Sequence, residues 1–185
     1  MLEALGIPLV VIAPDVDERC ESNEPLLAYL DRIVQAKLRR VVEDDRARSA
    51  SVILVADTIV LLDDEILGKP ADVDSARSML ARLSGRTHEV RTRFALGIAA
   101  GKSAATVVHA ETVSTSVEFR PLDAEEIERY AATGEGMDKA GAYAVQGVGS
   151  FAVRRLEGSY ANVVGLPVCE VVLSLRRAGF LAAFP

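Results

Sequence analysis

The sequence predicts an α/β domain built on a mixed sheet, and three observations carry that prediction. Short apolar runs of strand length alternate with segments whose apolar residues recur every three or four positions. Two long alternating segments joined through Gly101-Lys102 read as a central hairpin, which breaks strict βαβ order and makes the sheet mixed rather than parallel. A chain of 185 residues, 50% apolar and 26% charged, buries a full core without disulfide staples, so residues 1–185 read as one domain.

The elements follow in order. Residues 1–6 read as the end of a helix with Gly6 as its stop. So short a helix does not nucleate alone, and the chain reads as beginning inside an element. Residues 7–13 form an apolar run ending at Pro14, a buried strand by its length, and Asp15-Val16-Asp17-Glu18 follows as an acidic loop. A long helix is expected from about Asn23, with Pro25 in its first turn. Leu26, Leu27, Leu30, Ile33, Val34, Leu38, Val41 and Val42 form its buried stripe. Residues 51–56 make an apolar strand that Asp57-Thr58 interrupts and residues 59–62 resume. Asp63-Asp64 turns the chain, and residues 65–67 run back to Gly68-Lys69-Pro70. A helix over 74–83 turns Ala76, Met79, Leu80 and Leu83 inward and stops at Gly85. Strands are expected over 88–100 and 104–120, with Val107, Val113, Val117 and Phe119 on one parity. Asp123 and Glu126 are spaced as a capping pair for a helix that ends at Gly134. Residues 135–149 are glycine-rich, 150–156 read as a strand, and 157–166 as a loop. Pro167 opens a last helix that ends at Gly179.

Composition removes several function classes. A net charge of −6 argues against a broad nucleic-acid face, which needs clustered Lys and Arg. No apolar run approaches the roughly 18 residues of a membrane span. Cys20 and Cys169 are too few for a disulfide framework, so a reducing cytoplasm is expected.

The chemistry-bearing residues lie at strand and helix ends. Asp57 is flanked by hydrocarbon on both sides, so its carboxylate either starts a bulge or caps a turn, or serves as metal ligand or general base. Lys69, between Gly68 and Pro70, reads alone as a solvated turn lysine or as a point cation for phosphate. The P-loop spacing is absent, and Gly147-Val148-Gly149 precedes a strand rather than opening a helix. His88 and His109 read as sheet-surface histidines, and Cys20, beside Glu18 and Glu21, makes a poor nucleophile. Taken together, Glu18 and Asp57 with Lys37, Lys69 and Lys139 suit a magnesium-bound polyphosphate attacked by water.

Five strings resemble the Maf family in its own order. They are Ala56-Asp57-Thr58, Gly68-Lys69-Pro70, Leu83-Ser84-Gly85-Arg86-Thr87-His88, Asp138-Lys139-Ala140-Gly141-Ala142-Tyr143, and Glu157-Gly158-Ser159-Tyr160 running into Asn162-Val163-Val164-Gly165-Leu166-Pro167. The resemblance implies a Maf/ITPase-like fold with a mixed twisted sheet, two lobes around a cleft, and a cytoplasmic homodimer. It implies a nucleoside triphosphate pyrophosphatase that uses a divalent metal (Mg or Mn) and releases a monophosphate and pyrophosphate. A link to septum formation comes with it. By motif, Asp57 resembles the catalytic proton acceptor and a metal ligand, and Glu18 a second metal-site carboxylate. Lys37 and Lys69 resemble phosphate lysines, with Lys139 also at the substrate, and Thr58 and Gln146 resemble residues that set base preference. The Asp-Lys-Ala-Gly-Ala-Tyr string with Gln146 is similar to the branch acting on dTTP and UTP. The family's opening strand and Ser-x-Ser-Pro-Arg-Arg loop have no counterpart here. The expectation is therefore weak turnover, or a nucleotide-binding, division-regulating module in place of an enzyme.

Overall fold

A computed structural model describes residues 1–21, 24–101 and 104–182. Its elements run α1 (Leu26–Val42), β1 (Ile53–Leu62), β2 (Glu65–Leu67), α2 (Val73–Leu83), β3 (Thr87–Ala99), β4 (Ala105–Phe119), α3 (Ala124–Ala132), β5 (Val153–Glu157), α4 (Tyr160–Val164) and α5 (Val168–Arg177). The α/β class stands. The five strands form one sheet in the order β2-β1-β3-β4-β5.

That sheet is antiparallel, where a mixed one is expected from sequence. The helical crossover β2-α2-β3 does join two strands that point the same way. β1 lies between them, so no parallel ladder forms. The β1-β2 turn explains the tight reversal: Asp63 and Asp64 both take positive φ, 53° and 64°, the mirror-image turn that matches strand twist. Arg86 donates to both carboxylate oxygens of Asp63, at 2.7 and 2.6 Å, and holds that turn.

β1 does not break at Asp57-Thr58 but runs through it. Each polar side chain finds a partner, described below, so the strand pays no desolvation penalty large enough to end it. Residues 7–13 form no strand. Leu9, Val10 and Val11 are exposed, and Ile12 packs against the core. An apolar run becomes a strand only where a ladder partner exists, and Pro8 removes one donor as well. Gly6 does stop a helical turn, the 3₁₀ segment Glu3–Leu5. Pro25 caps α1, and the expected start at Asn23 lies outside the described residues, as does Lys102 of the β3-β4 turn. β5 starts later than expected because Gly147–Ala152 coils into a 3₁₀ turn. The loop expected over 157–166 contains α4, a single helical turn too short for any periodicity to announce.

The chain divides into two compact units. The first takes in Met1–Asp57, Arg93–Thr112 and the chain from Leu166. Its core joins Val34, Leu38, Val41 and Val42 of α1 to Ile53 and Val55 of β1 and Ala95 of β3. The second takes in Thr58–Thr92 and Val113–Gly165. Its core joins Ala76, Leu80 and Leu83 of α2 and Tyr130 of α3 to Val60, Leu62, Val90, Val117 and Phe119 of the sheet. Reciprocal capping boxes, Asp72 with Ser75 and Asp123 with Glu126, start α2 and α3.

His88 is not a surface residue. It shares the parity of Val90, Thr92 and Phe94, all buried, and sits edge-on to Phe119 and Tyr143 with Nε2 2.8 Å from the Tyr143 hydroxyl. Burial pushes its pKa down to about 4.

Candidate active site

In the first unit, three of the expected residues meet. Asp57 stands on β1, Lys37 in the later turns of α1, and Glu18 on the loop before that helix. The Lys37 ammonium donates to Asp57 Oδ1 at 2.6 Å and pairs with Glu18 Oε1 at 2.7 Å. The Lys37 and Asp57 side chains are only 15% and 11% exposed, whereas Glu18 is 39% exposed. Burial pulls the Lys37 pKa down, but the charges and hydrogen bonds of Asp57 and Glu18 outweigh it and leave the pKa raised. The lysine is therefore charged at neutral pH, facing two carboxylates.

Glu18 is held at a second point. Tyr29 on α1 donates its hydroxyl to the Glu18 carbonyl at 2.8 Å, and Tyr29, Ile33 and Lys37 repeat every four residues on one helix face. One face of α1 thus grips both the backbone and the carboxylate of Glu18. Burial first, then the negative charges of Asp57 and Glu18, push the Tyr29 phenol up to about 12. One turn on from Tyr29, Arg32 donates to the Arg19 carbonyl at 2.9 Å and is braced by two bonds of 2.7 Å to Glu24.

In the second unit, the Thr58 and Thr92 hydroxyls lie 2.8 Å apart, one donating to the other, and the accepting hydroxyl turns its own proton to a carbonyl 3.3 Å away, that of Gly165 beside Thr58 or that of Asn162 beside Thr92. The fully buried Asn162 amide donates to Val90 and to the Thr115 hydroxyl, both at 3.0 Å. Lys69 lies in the exposed turn after β2, with Pro70 buried behind it. The Gly68 carbonyl accepts the Gly141 N–H at 3.1 Å, which ties this turn to the Lys139 loop. Lys139 donates to Asp138 at 2.6 Å, and that bond together with the Lys69 charge lowers the Asp138 pKa. Gln146 is exposed at the start of the 3₁₀ turn Gly147–Ala152.

The residues 1–178 match the Maf-like protein family. The chain belongs to the Maf family. It is 46% identical over 179 residues to a dTTP/UTP pyrophosphatase of Anaeromyxobacter sp. (strain Fw109-5), covering 97% of this chain and 83% of that relative. The corresponding protein of Myxococcus xanthus (strain DK1622), also named dTTP/UTP pyrophosphatase, is 46% identical with 97% and 86% covered. That of Hahella chejuensis (strain KCTC 2396) bears the same name and is 41% identical, again with 97% and 86% covered.

In this Maf chain, the oxygen donors of Glu18 and Asp57 share one ammonium and so fit a hard divalent cation. Magnesium takes one or two carboxylates and completes its shell with water and substrate phosphate. No cluster of three or more His, Cys, Asp or Glu suited to a metal occurs among the described residues. Sequence reasoning missed Tyr29 and Thr92. Tyr29 sits in the stripe where apolar residues were expected, while Leu27 of that stripe is exposed. The available signal was the four-residue step from Tyr29 through Ile33 to Lys37.

Proposed function

We propose that this Maf protein is a nucleoside triphosphate pyrophosphatase acting on dTTP and UTP. The observation that carries the reading is the Lys37 ammonium shared by two carboxylates, the poorly solvated Asp57 and the more exposed Glu18. The names of relatives at 41 to 46% identity support the substrate class. Asp57 acts as general base. It takes a proton from the water whose oxygen bonds to the α-phosphorus, while the bond from that phosphorus to the bridging oxygen breaks and pyrophosphate leaves. Lys37 fixes the carboxylate that receives the proton. Lys69 and Lys139 neutralise phosphate oxygens, and Thr58 and Gln146 contact the base. Glu18 and Asp57 would hold a magnesium or manganese ion, which when bound neutralises charge on the phosphates. The protein acts as a cytoplasmic homodimer in this reading. Two exposed free cysteines suit a reducing compartment, and no described helix is long and apolar enough to cross a membrane.

The test incubates the purified protein with each ribo- and deoxyribonucleoside triphosphate, with and without Mg²⁺ or Mn²⁺, and identifies the products. Monophosphate and pyrophosphate from dTTP and UTP are expected. Release of orthophosphate, or tight binding of dTTP with no cleavage, would overturn the enzymatic reading.

A further inference from the structure

The geometry of the second unit points to Glu135 as a positioning residue for base selection, acting through the loop that carries Gln146. We propose that its carboxylate locks that loop, and the proposal rests on Gln146 contacting the base. Glu135 Oε1 accepts the Val148 N–H at 2.9 Å, and Oε2 accepts the Gly149 N–H at 2.7 Å. Oε2 also accepts the Tyr130 hydroxyl at 3.0 Å, and the oxygen of that hydroxyl accepts the Ala144 N–H at 3.1 Å. One carboxylate and one phenol therefore hold the backbone on both sides of Gln146, at residues 144, 148 and 149.

Backbone shape supports the same assignment. Gly147 has φ +68°, and a Cβ there would collide with Glu135 Oε1. At Gly149, a Cβ would collide with the Ala144 carbonyl and with the Tyr130 hydroxyl. The glycines let the loop close down on the two side chains, which L-residues with a Cβ would prevent. The three bonds and burial act in opposite directions on Glu135: burial raises its pKa, and the backbone N–H groups with the Tyr130 hydroxyl lower it further, so the acid is held ionised. An exposed glutamine on a glycine-containing loop would otherwise sample many orientations. Discrimination between uracil and cytosine needs a fixed donor and acceptor pair, because the two rings differ by reversal of that pattern at one edge. A loop pinned at three backbone N–H groups supplies that fixity.

The test substitutes Glu135→Gln and compares dissociation constants for CTP and UTP by calorimetry, so that no turnover is needed. In Glu135→Gln, one N–H bond survives on the amide oxygen and the other meets an amide donor. The ratio of CTP to UTP dissociation constants should fall about tenfold, and should fall no further in Glu135→Gln/Gln146→Ala than in Gln146→Ala alone. Tyr130→Phe, which keeps the ring and the two bonds from Val148 and Gly149, should give a smaller loss of about threefold and covers the case in which Glu135→Gln does not fold. A wild-type ratio in Glu135→Gln, or an equal loss of both nucleotides, overturns the proposal. A ratio that Gln146→Ala leaves unchanged overturns it together with the base contact. Pyrophosphate release from UTP by the unaltered protein reports the catalytic reading separately.

Discussion

Replacing Lys37 by Met probes the charge cluster most directly. Methionine keeps an unbranched apolar stem of similar length, so the packing of that stem along α1 is largely preserved. What is lost is the ammonium between Asp57 Oδ1 at 2.6 Å and Glu18 Oε1 at 2.7 Å. Removing one partner of a well-buried pair costs about 3–5 kcal/mol, because the other charge is left without compensation. Asp57 is 11% exposed rather than fully buried, which sets its share just below that range, at about 2–3 kcal/mol. Glu18 is 39% exposed, so solvent screens it and its share is about 0.5–1 kcal/mol. The sum is about 3 kcal/mol, or roughly 6–12 °C in Tm for a chain of this size.

Urea unfolding followed by far-UV circular dichroism and by tyrosine fluorescence measures this loss. Two probes are required because the chain holds two compact units, and a single free energy is defined only if both transitions coincide. A Lys37→Met/Asp57→Asn double variant also neutralises the carboxylate that lost this ammonium and should recover more than 1 kcal/mol of the Lys37→Met loss. The sign with pH is fixed by the raised Lys37 pKa: its contribution is full below the ordinary value of 10.5 and disappears as pH climbs through the higher folded value. A loss below about 1 kcal/mol, the size of an exposed ion pair, would refute the reasoning.

Three further outcomes are expected. Asp57→Asn should keep the fold and lower turnover of dTTP by about 10²- to 10⁴-fold, the usual contribution of a general base, as read from pyrophosphate release. Full activity in that variant removes Asp57 from the chemistry. His88 is neutral when folded down to about pH 4 against 6.5 unfolded, so between those values the unfolded chain binds the extra proton and stability falls with acid. About 3 kcal/mol is lost across that window, and His88→Gln, compared with the parent by urea titration at each pH, should lack this part of the slope. Asn162→Ala removes the donors to Val90 and Thr115 from a fully buried site and should cost about 2–3 kcal/mol in the same assay. An unchanged midpoint would mean that the polar network beneath Thr58 is dispensable.

Local chemistry was legible in the sequence wherever one residue type solves one local problem. Asp123 and Glu126 announce α3 because the capping box needs only those two side chains at that spacing. Asp57 stood out because a carboxylate amid hydrocarbon needs a partner, and the structure supplies Lys37. Residues 7–13 failed for the opposite reason: a strand is a pairing between distant segments, and hydropathy states only readiness to pair. His88 departs from the surface reading because it shares strand parity with Val90 and Phe94, and that face of β3 packs inward. Sheet direction failed because a helical crossover fixes the relative sense of β2 and β3 but says nothing about which strand lies between them.

The charge cluster also carries an argument about why it is there. For stability alone, an ion pair this poorly solvated is a weak choice, since apolar side chains of similar volume commonly do as well or better. Charged groups kept there despite that cost become useful when a cation or a proton has to be accepted at that place during function. Tyr29 strengthens this, since it fixes the Glu18 backbone from the same helix face that presents Lys37, an expense of order that a solvated surface carboxylate would not need. The poor solvation of the Lys37–Asp57 pair and the second grip on Glu18 together favour a working site over a structural brace. The contrast is measurable: Glu18→Gln/Asp57→Asn in a Lys37→Met background should fold at least as stably as Lys37→Met alone and yet release no pyrophosphate from UTP.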